Sequence, residues 1–110
     1  MALMHAQPLD VIDVRPLGPR LRNSTTSSLL KAESIQLMRV VLQAGEGIPE
    51  HSVVGAITVQ CLEGVALVTT PARPIELSAG QLVVLAGGEP HSVRALTDSS
   101  LLVTVLLRSK

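Results

Sequence analysis

From Ser34 onward the chain alternates short apolar runs with turn-forming clusters. Ile35–Gln43, Val53–Leu62, Val65–Thr70, Ile75–Leu77, Gln81–Leu85, Ser92–Leu96 and Leu101–Arg108 are rich in Val, Ile and Leu, and Gly, Pro, Asp or Ser separates most of them. Runs of this length at close spacing predict the antiparallel strands of an all-β sandwich or barrel. Pro71-Ala72-Arg73-Pro74 reads as a turn, because neither proline can donate to a central ladder. No stretch with a 3.6-residue period carries caps at both ends, so helix is expected to be minor. Residues 1–30 carry Pro8, Pro16, Gly18 and Pro19 and read as an N-terminal arm, leaving 31–110 for the barrel. Within the arm, one short strand is expected around Val11–Val14, and Asn23–Ser28 is a small-polar loop or strand edge.

Two of the runs break the alternation of a sheet wetted on one side. Leu101–Leu107 is apolar on both faces, and Leu37–Leu42 is nearly so. Something must cover the outer face, either the arm or a second subunit, since an apolar patch of that size on a monomer invites association. A homodimer is the expected state.

Composition narrows the function classes. The 110 residues suit one domain, with nine basic and nine acidic side chains and a formal net charge of zero. No block of like charge is present, so nucleic acid and anionic membranes are not expected partners. No apolar run approaches the roughly 20 residues of a membrane helix. Met1–Asp10 lacks the charge-then-apolar order of a signal peptide, and the lone Cys61 has no partner for an internal disulfide, so a cytoplasmic protein is expected. The chain contains no Phe, Tyr or Trp. Its core must be built from Val, Leu, Ile, Ala and Met, and a site lined by them cannot stack a nucleobase or a sugar ring.

The candidate chemistry rests on two histidines in turn-rich segments, His51 after Gly47-Ile48-Pro49-Glu50 and His91 after Gly87-Gly88-Glu89-Pro90. The segments resemble the two motifs of the cupin superfamily, small antiparallel double-stranded β-helix (jelly-roll) barrels whose motif side chains usually hold a metal in the barrel mouth. In the first motif, Gly-x5-His-x-His-x3or4-Glu-x6-Gly, Gly45, His51 and Gly64 fall on their places. Val53 stands for the second histidine and Ile57 for the glutamate. In the second motif, Gly-x5-Pro-x-Gly-x2-His-x3-Asn, Gly80, Gly88 and His91 match, while Ala86 and Ala95 replace proline and asparagine. The resemblance spans Leu37–Leu106 and implies a barrel mouth lined by His51, Val53, Ile57, Val59 and His91.

Residues two apart on a strand face the same way, which would aim positions 51, 53 and 57 into the mouth, with His91 on a strand crossing the opposite side. Two readings follow. In one, His51 and His91 are neutral, hydrogen-bonded lining of a small pocket. In the other they hold a divalent metal (Zn, Fe, Mn or Ni) weakly, the sphere completed by Gln60 or water. Gln60 and Thr58 have the wrong parity unless a bulge near Gly55 turns them inward. Glu50 and Glu89 lie in loops beside the histidines, and Cys61 should point inward but deeper.

Other residues read as structural. His5 is expected on the surface, Arg39 at a barrel-exterior or subunit contact, Arg94 in solvent and Cys61 as an apolar filler. Ser52 belongs to no catalytic triad, and Gly87-Gly88 precedes no helix that would make it a phosphate loop.

The function expected is binding of a small apolar or carboxylate ligand, with or without a weak metal, between His51 and His91. The alternative is a metal-dependent cupin enzyme, a dioxygenase or isomerase acting on a small non-aromatic metabolite. A metal-free acid–base enzyme using the two histidines is a third class, weakened by the missing acidic and aromatic side chains.

Overall fold

The computed structural model describes residues 5–107. Nine strands are found among them: β1 (Ser27–Lys31), β2 (Ile35–Leu42), β3 (Gly47–His51), β4 (Ile57–Glu63), β5 (Val65–Thr69), β6 (Pro74–Ser78), β7 (Leu82–Leu85), β8 (His91–Ala95) and β9 (Ser99–Leu106). They form two antiparallel sheets, β1-β2-β9-β4-β7 and β3-β8-β5-β6, packed face to face as a jelly-roll barrel. The only helix among the described residues is a 3-10 segment, Gly18–Asn23.

Side-chain alternation sets the core. In β4 Ile57, Val59 and Cys61 are buried while Thr58, Gln60 and Leu62 are not. Val40, Leu42, Leu85 and Leu101 join them from the first sheet and meet Ala66, Val68, Leu77, Val93 and Ala95 of the second.

The strand expected over Val53–Leu62 is split. Residues 52–56 leave the second sheet after β3 and cross to the first, where β4 begins. Gly55 makes the crossing: a Cβ there would lie 1.9 Å from the Leu106 carbonyl oxygen, so only a residue without a side chain lets the backbone pass. Gly64, at φ +85, closes the β4–β5 turn, with the Asp98 carbonyl oxygen 2.2 Å from where a Cβ would stand. The strand expected around Val11–Val14 does not form; those residues enter neither sheet. The loop or edge at Asn23–Ser28 ends inside β1, which pairs with β2. The last strand stops at Leu106, and Arg108, like Met1–Met4, lies outside the described residues.

The outer face of the first sheet is half covered. Leu37, Arg39 and Val41 of β2 point away from the core, yet Arg39 is only 7% exposed and Val41 8%. The arm lies over them. Arg39 donates to the backbone oxygens of Arg15 and Asp13 at 2.9 and 3.1 Å. Glu63 fixes the arm's next turn, its carboxylate accepting from the backbone N–H groups of Leu17 and Gly18 and from the Ser100 hydroxyl. At the other side of the same sheet, Leu82 and Val84 of β7 stay open to solvent.

Partial burial alone would raise the Glu63 pKa. The hydrogen bonds from Ser100, Leu17 and Gly18 and the Arg39 charge outweigh it and hold the carboxyl below its ordinary value. A carboxyl depressed by folding stabilises above its unfolded pKa, and that contribution is lost as pH falls through the folded one. Glu63→Gln should therefore cost about 2 kcal/mol near neutral pH. It should also flatten the acid limb of the stability profile, read by denaturant melts from pH 7 downward.

Candidate functional site

His51 ends β3 and His91 begins β8, and the two are direct partners across the ladder. Opposed residues of an antiparallel pair share a face. Their rings accordingly meet at the mouth of the barrel, centroids 4.3 Å apart and planes inclined by 58°. The histidines thus come from adjacent strands of one sheet and not from opposite sides. His51 is exposed at the rim, and His91 is 2% exposed beneath it.

The two rings are oriented alike. His51 Nδ1 lies 3.0 Å from the Pro49 carbonyl oxygen, and His91 Nδ1 lies 2.9 Å from that of Glu89. A carbonyl oxygen only accepts, so each Nδ1 carries the donated proton, and in the neutral ring it is Nε2 that has the lone pair.

Below the rings opens a cavity of about 490 Å³ between the sheets. His51, Ile48, His91 and Val93 contribute from the second sheet, and Val40, Ile57, Val59, Val103 and Val105 from the first. Val53 reaches in from the crossing segment. His51, Val53, Ile57, Val59 and His91 are therefore all here, although positions 51 and 57 belong to different strands, while Leu85, also expected from the sequence as lining, packs in the core instead. Gln36, on β2, also lines the cavity and was not anticipated. Its signal is parity: 36, 38 and 40 share one face of the strand, which the apolar character of both faces concealed.

Gln60 does not line the cavity. The irregularity in β4 falls between Cys61 and Glu63, after Gln60, so the simple alternation holds and keeps Gln60 and Thr58 outward. Glu50 and Glu89 do not line it either. Cys61 points inward but deeper, fully buried, its thiol donating to the Glu63 and Gly64 carbonyl oxygens. Burial pushes that thiol up, the backbone contact with Glu63 partly offsets this, and the Glu63 charge adds to it. His5 is exposed beside Ser28, and Arg94 is exposed.

The donor set does not complete a metal site. Stable sites for borderline divalent ions draw three or four side chains from the protein, and two imidazoles are present. Among the described residues no three His, Cys, Asp or Glu side chains converge. Val53 and Ile57, in the places where further ligands would stand, offer only carbon.

The family model described as "Cupin domain" matches residues 38–107, most of the chain. The protein is a cupin. No curated protein sequence matches it significantly. Among solved structures, it is similar to a conserved protein of unknown function, SPY1581 from Streptococcus pyogenes, at 20% identity with TM-score 0.76, each chain covered fully. A cupin superfamily protein, DSY2733 from Desulfitobacterium hafniense, superposes with TM-score 0.77 at 18% identity over 94% of this chain and 100% of that one. Salicylate 1,2-dioxygenase from Pseudaminobacter salicylatoxidans matches at 19% identity and TM-score 0.66, over 73% of this chain and 25% of its own. At such identities the likeness is one of fold.

Two outcomes are expected of the site in solution. Calorimetric titration with Zn²⁺ or Ni²⁺ should give weak binding to the wild type and tight one-to-one binding to the double variant Val53→His with Ile57→Glu, which restores an imidazole and a carboxylate. Cys61 should resist a disulfide-exchange reagent such as dithionitrobenzoate in the native protein and react fully once unfolded.

Proposed function

We propose that this cupin binds a small, largely apolar molecule in the barrel mouth, anchored by His51 and His91. The convergence of two imidazoles on an otherwise aliphatic cavity of about 490 Å³ carries the reading. Ligand sites typically have this size and composition, a mostly apolar wall with a few placed polar groups. The wall has no aromatic face, so affinity rests on aliphatic burial, on the order of 25 cal/mol per Å².

A second reading, a metal-dependent enzyme of the dioxygenase or isomerase kind, draws on the imidazole orientation. Rings tied back through Nδ1 present Nε2 outward, as metal-ligating histidines do. The incomplete donor set places it second.

The working unit is a homodimer in the cytoplasm. The bare side of the first sheet, with Leu82 54% and Val84 62% exposed on the edge strand β7, supplies the surface for an isologous contact. Cys61, which has no partner, suits a reducing compartment. No helix among the described residues is long and apolar enough to cross a membrane.

The cavity is tested by filling it. Val53→Phe, at a half-buried position on the crossing segment, should preserve the fold by circular dichroism and abolish stabilisation by small aliphatic ligands in thermal-shift screening. Undiminished ligand stabilisation in Val53→Phe would move the binding site elsewhere. Sedimentation at micromolar concentration should show a dimer that Leu82→Glu with Val84→Glu dissociates.

A further inference from the structure

The hydrogen-bonding character of the cavity is one-sided where the two histidines meet. Its polar side chains are His51, His91 and Gln36. In its neutral form each imidazole spends its only N–H on a backbone carbonyl, leaving the Nε2 lone pair. His91 is 2% exposed, yet no buried side-chain nitrogen or oxygen among the described residues lacks a partner. Its Nε2, which no protein group meets, is therefore reached through the cavity it lines. Gln36 directs one Nε2–H toward the Ser28 hydroxyl at 3.4 Å, which leaves its second N–H and its carbonyl oxygen unmatched. The two imidazoles thus present two acceptors at the mouth, and the one side-chain donor left in the lining is the second N–H of Gln36, on β2 of the other sheet.

We infer that the cavity selects an aliphatic ligand whose polar head is a neutral hydrogen-bond donor, an alcohol being the simplest, and discriminates against carboxylates. This rests on the ligand-binding reading of the same cavity and names the class it takes. A carboxylate is acceptor-only, so it would set lone pair against lone pair. It would also carry a charge into an aliphatic space that no Arg or Lys side chain lines. An ammonium head can donate, but no Asp or Glu lines the cavity to balance it. A hydroxyl donates to one Nε2 without bringing charge.

The test uses the whole protein with 1-hexanol and hexanoate, which share a six-carbon chain and differ in the head. Long-range ¹H–¹⁵N spectra first locate the ring protons, at a pH where those spectra show both rings neutral. Protonated Nδ1 and bare Nε2 are expected for His51 and His91, and Nε2–H rings in the free protein would overturn the inference. On titration, hexanol should bind at least about tenfold more tightly than hexanoate, a preference of one hydrogen bond or more, and should shift an Nε2 resonance. Hexanoate binding as well as or better than hexanol would overturn the donor rule while leaving the cavity as a binding site. Binding of neither would overturn both readings. His51→Leu, at the exposed end of β3, should narrow the hexanol preference several-fold. An unchanged preference in His51→Leu would remove the rim imidazole from the mechanism of selection.

Discussion

The register of β3 against β8 is the constraint on which the site depends. It places His51 directly opposite His91, so both rings fall on the inner face at the barrel mouth. A slip of one residue would turn one ring outward and dissolve the pair. The register shifts between Ile48, opposite Val93, and His51, so an irregularity in β3 is what brings His51 opposite His91. Each imidazole is then locked by the carbonyl two residues before it, Pro49 for one and Glu89 for the other. The same local device on two strands leaves the Nε2 of each ring free of a backbone partner.

The absence of aromatic side chains shapes what lies beneath. Val, Leu, Ile and Ala pack well where the sheets approach closely, as the burial of Val59, Ala66, Val68 and Leu101 shows. Toward the mouth no side chain is large enough to bridge the two layers, and the gap remains as the cavity. The apolar surplus on the outer face is met by a different device. Arg39, a buried cation among apolar residues, holds the arm by its backbone oxygens, and Glu63 holds the following turn by its N–H groups. Charge is used here to fasten chain to sheet, with the carboxylate and guanidinium each satisfied by backbone.

Much of this was legible in the sequence. Turn glycines and apolar runs gave the antiparallel barrel, and the cupin spacing put His51, Val53, Ile57, Val59 and His91 around one opening. The connectivity near the site was not legible. Gly55 reads equally as a bulge within one strand or as a crossing between sheets, and only the contact with Leu106 decides for the crossing. For the same reason the histidines were expected across the barrel rather than side by side. Gln36 stayed hidden because a strand apolar on both faces has no readable parity. β1 was missed because Ser27 and Ser28 carry little strand propensity, and pairing with β2 overrides it.

The adjacency of the two imidazoles is the central claim, and ring-to-ring nuclear Overhauser contacts measure it most directly. Rings with centroids 4.3 Å apart must give cross-peaks between the carbon-bound protons of His51 and His91, with none from either to His5, which sits beside Ser28. Clear His51–His91 cross-peaks in the free protein are the predicted result. Their absence in a folded sample with all three histidines assigned would contradict the β3–β8 register and the site built on it.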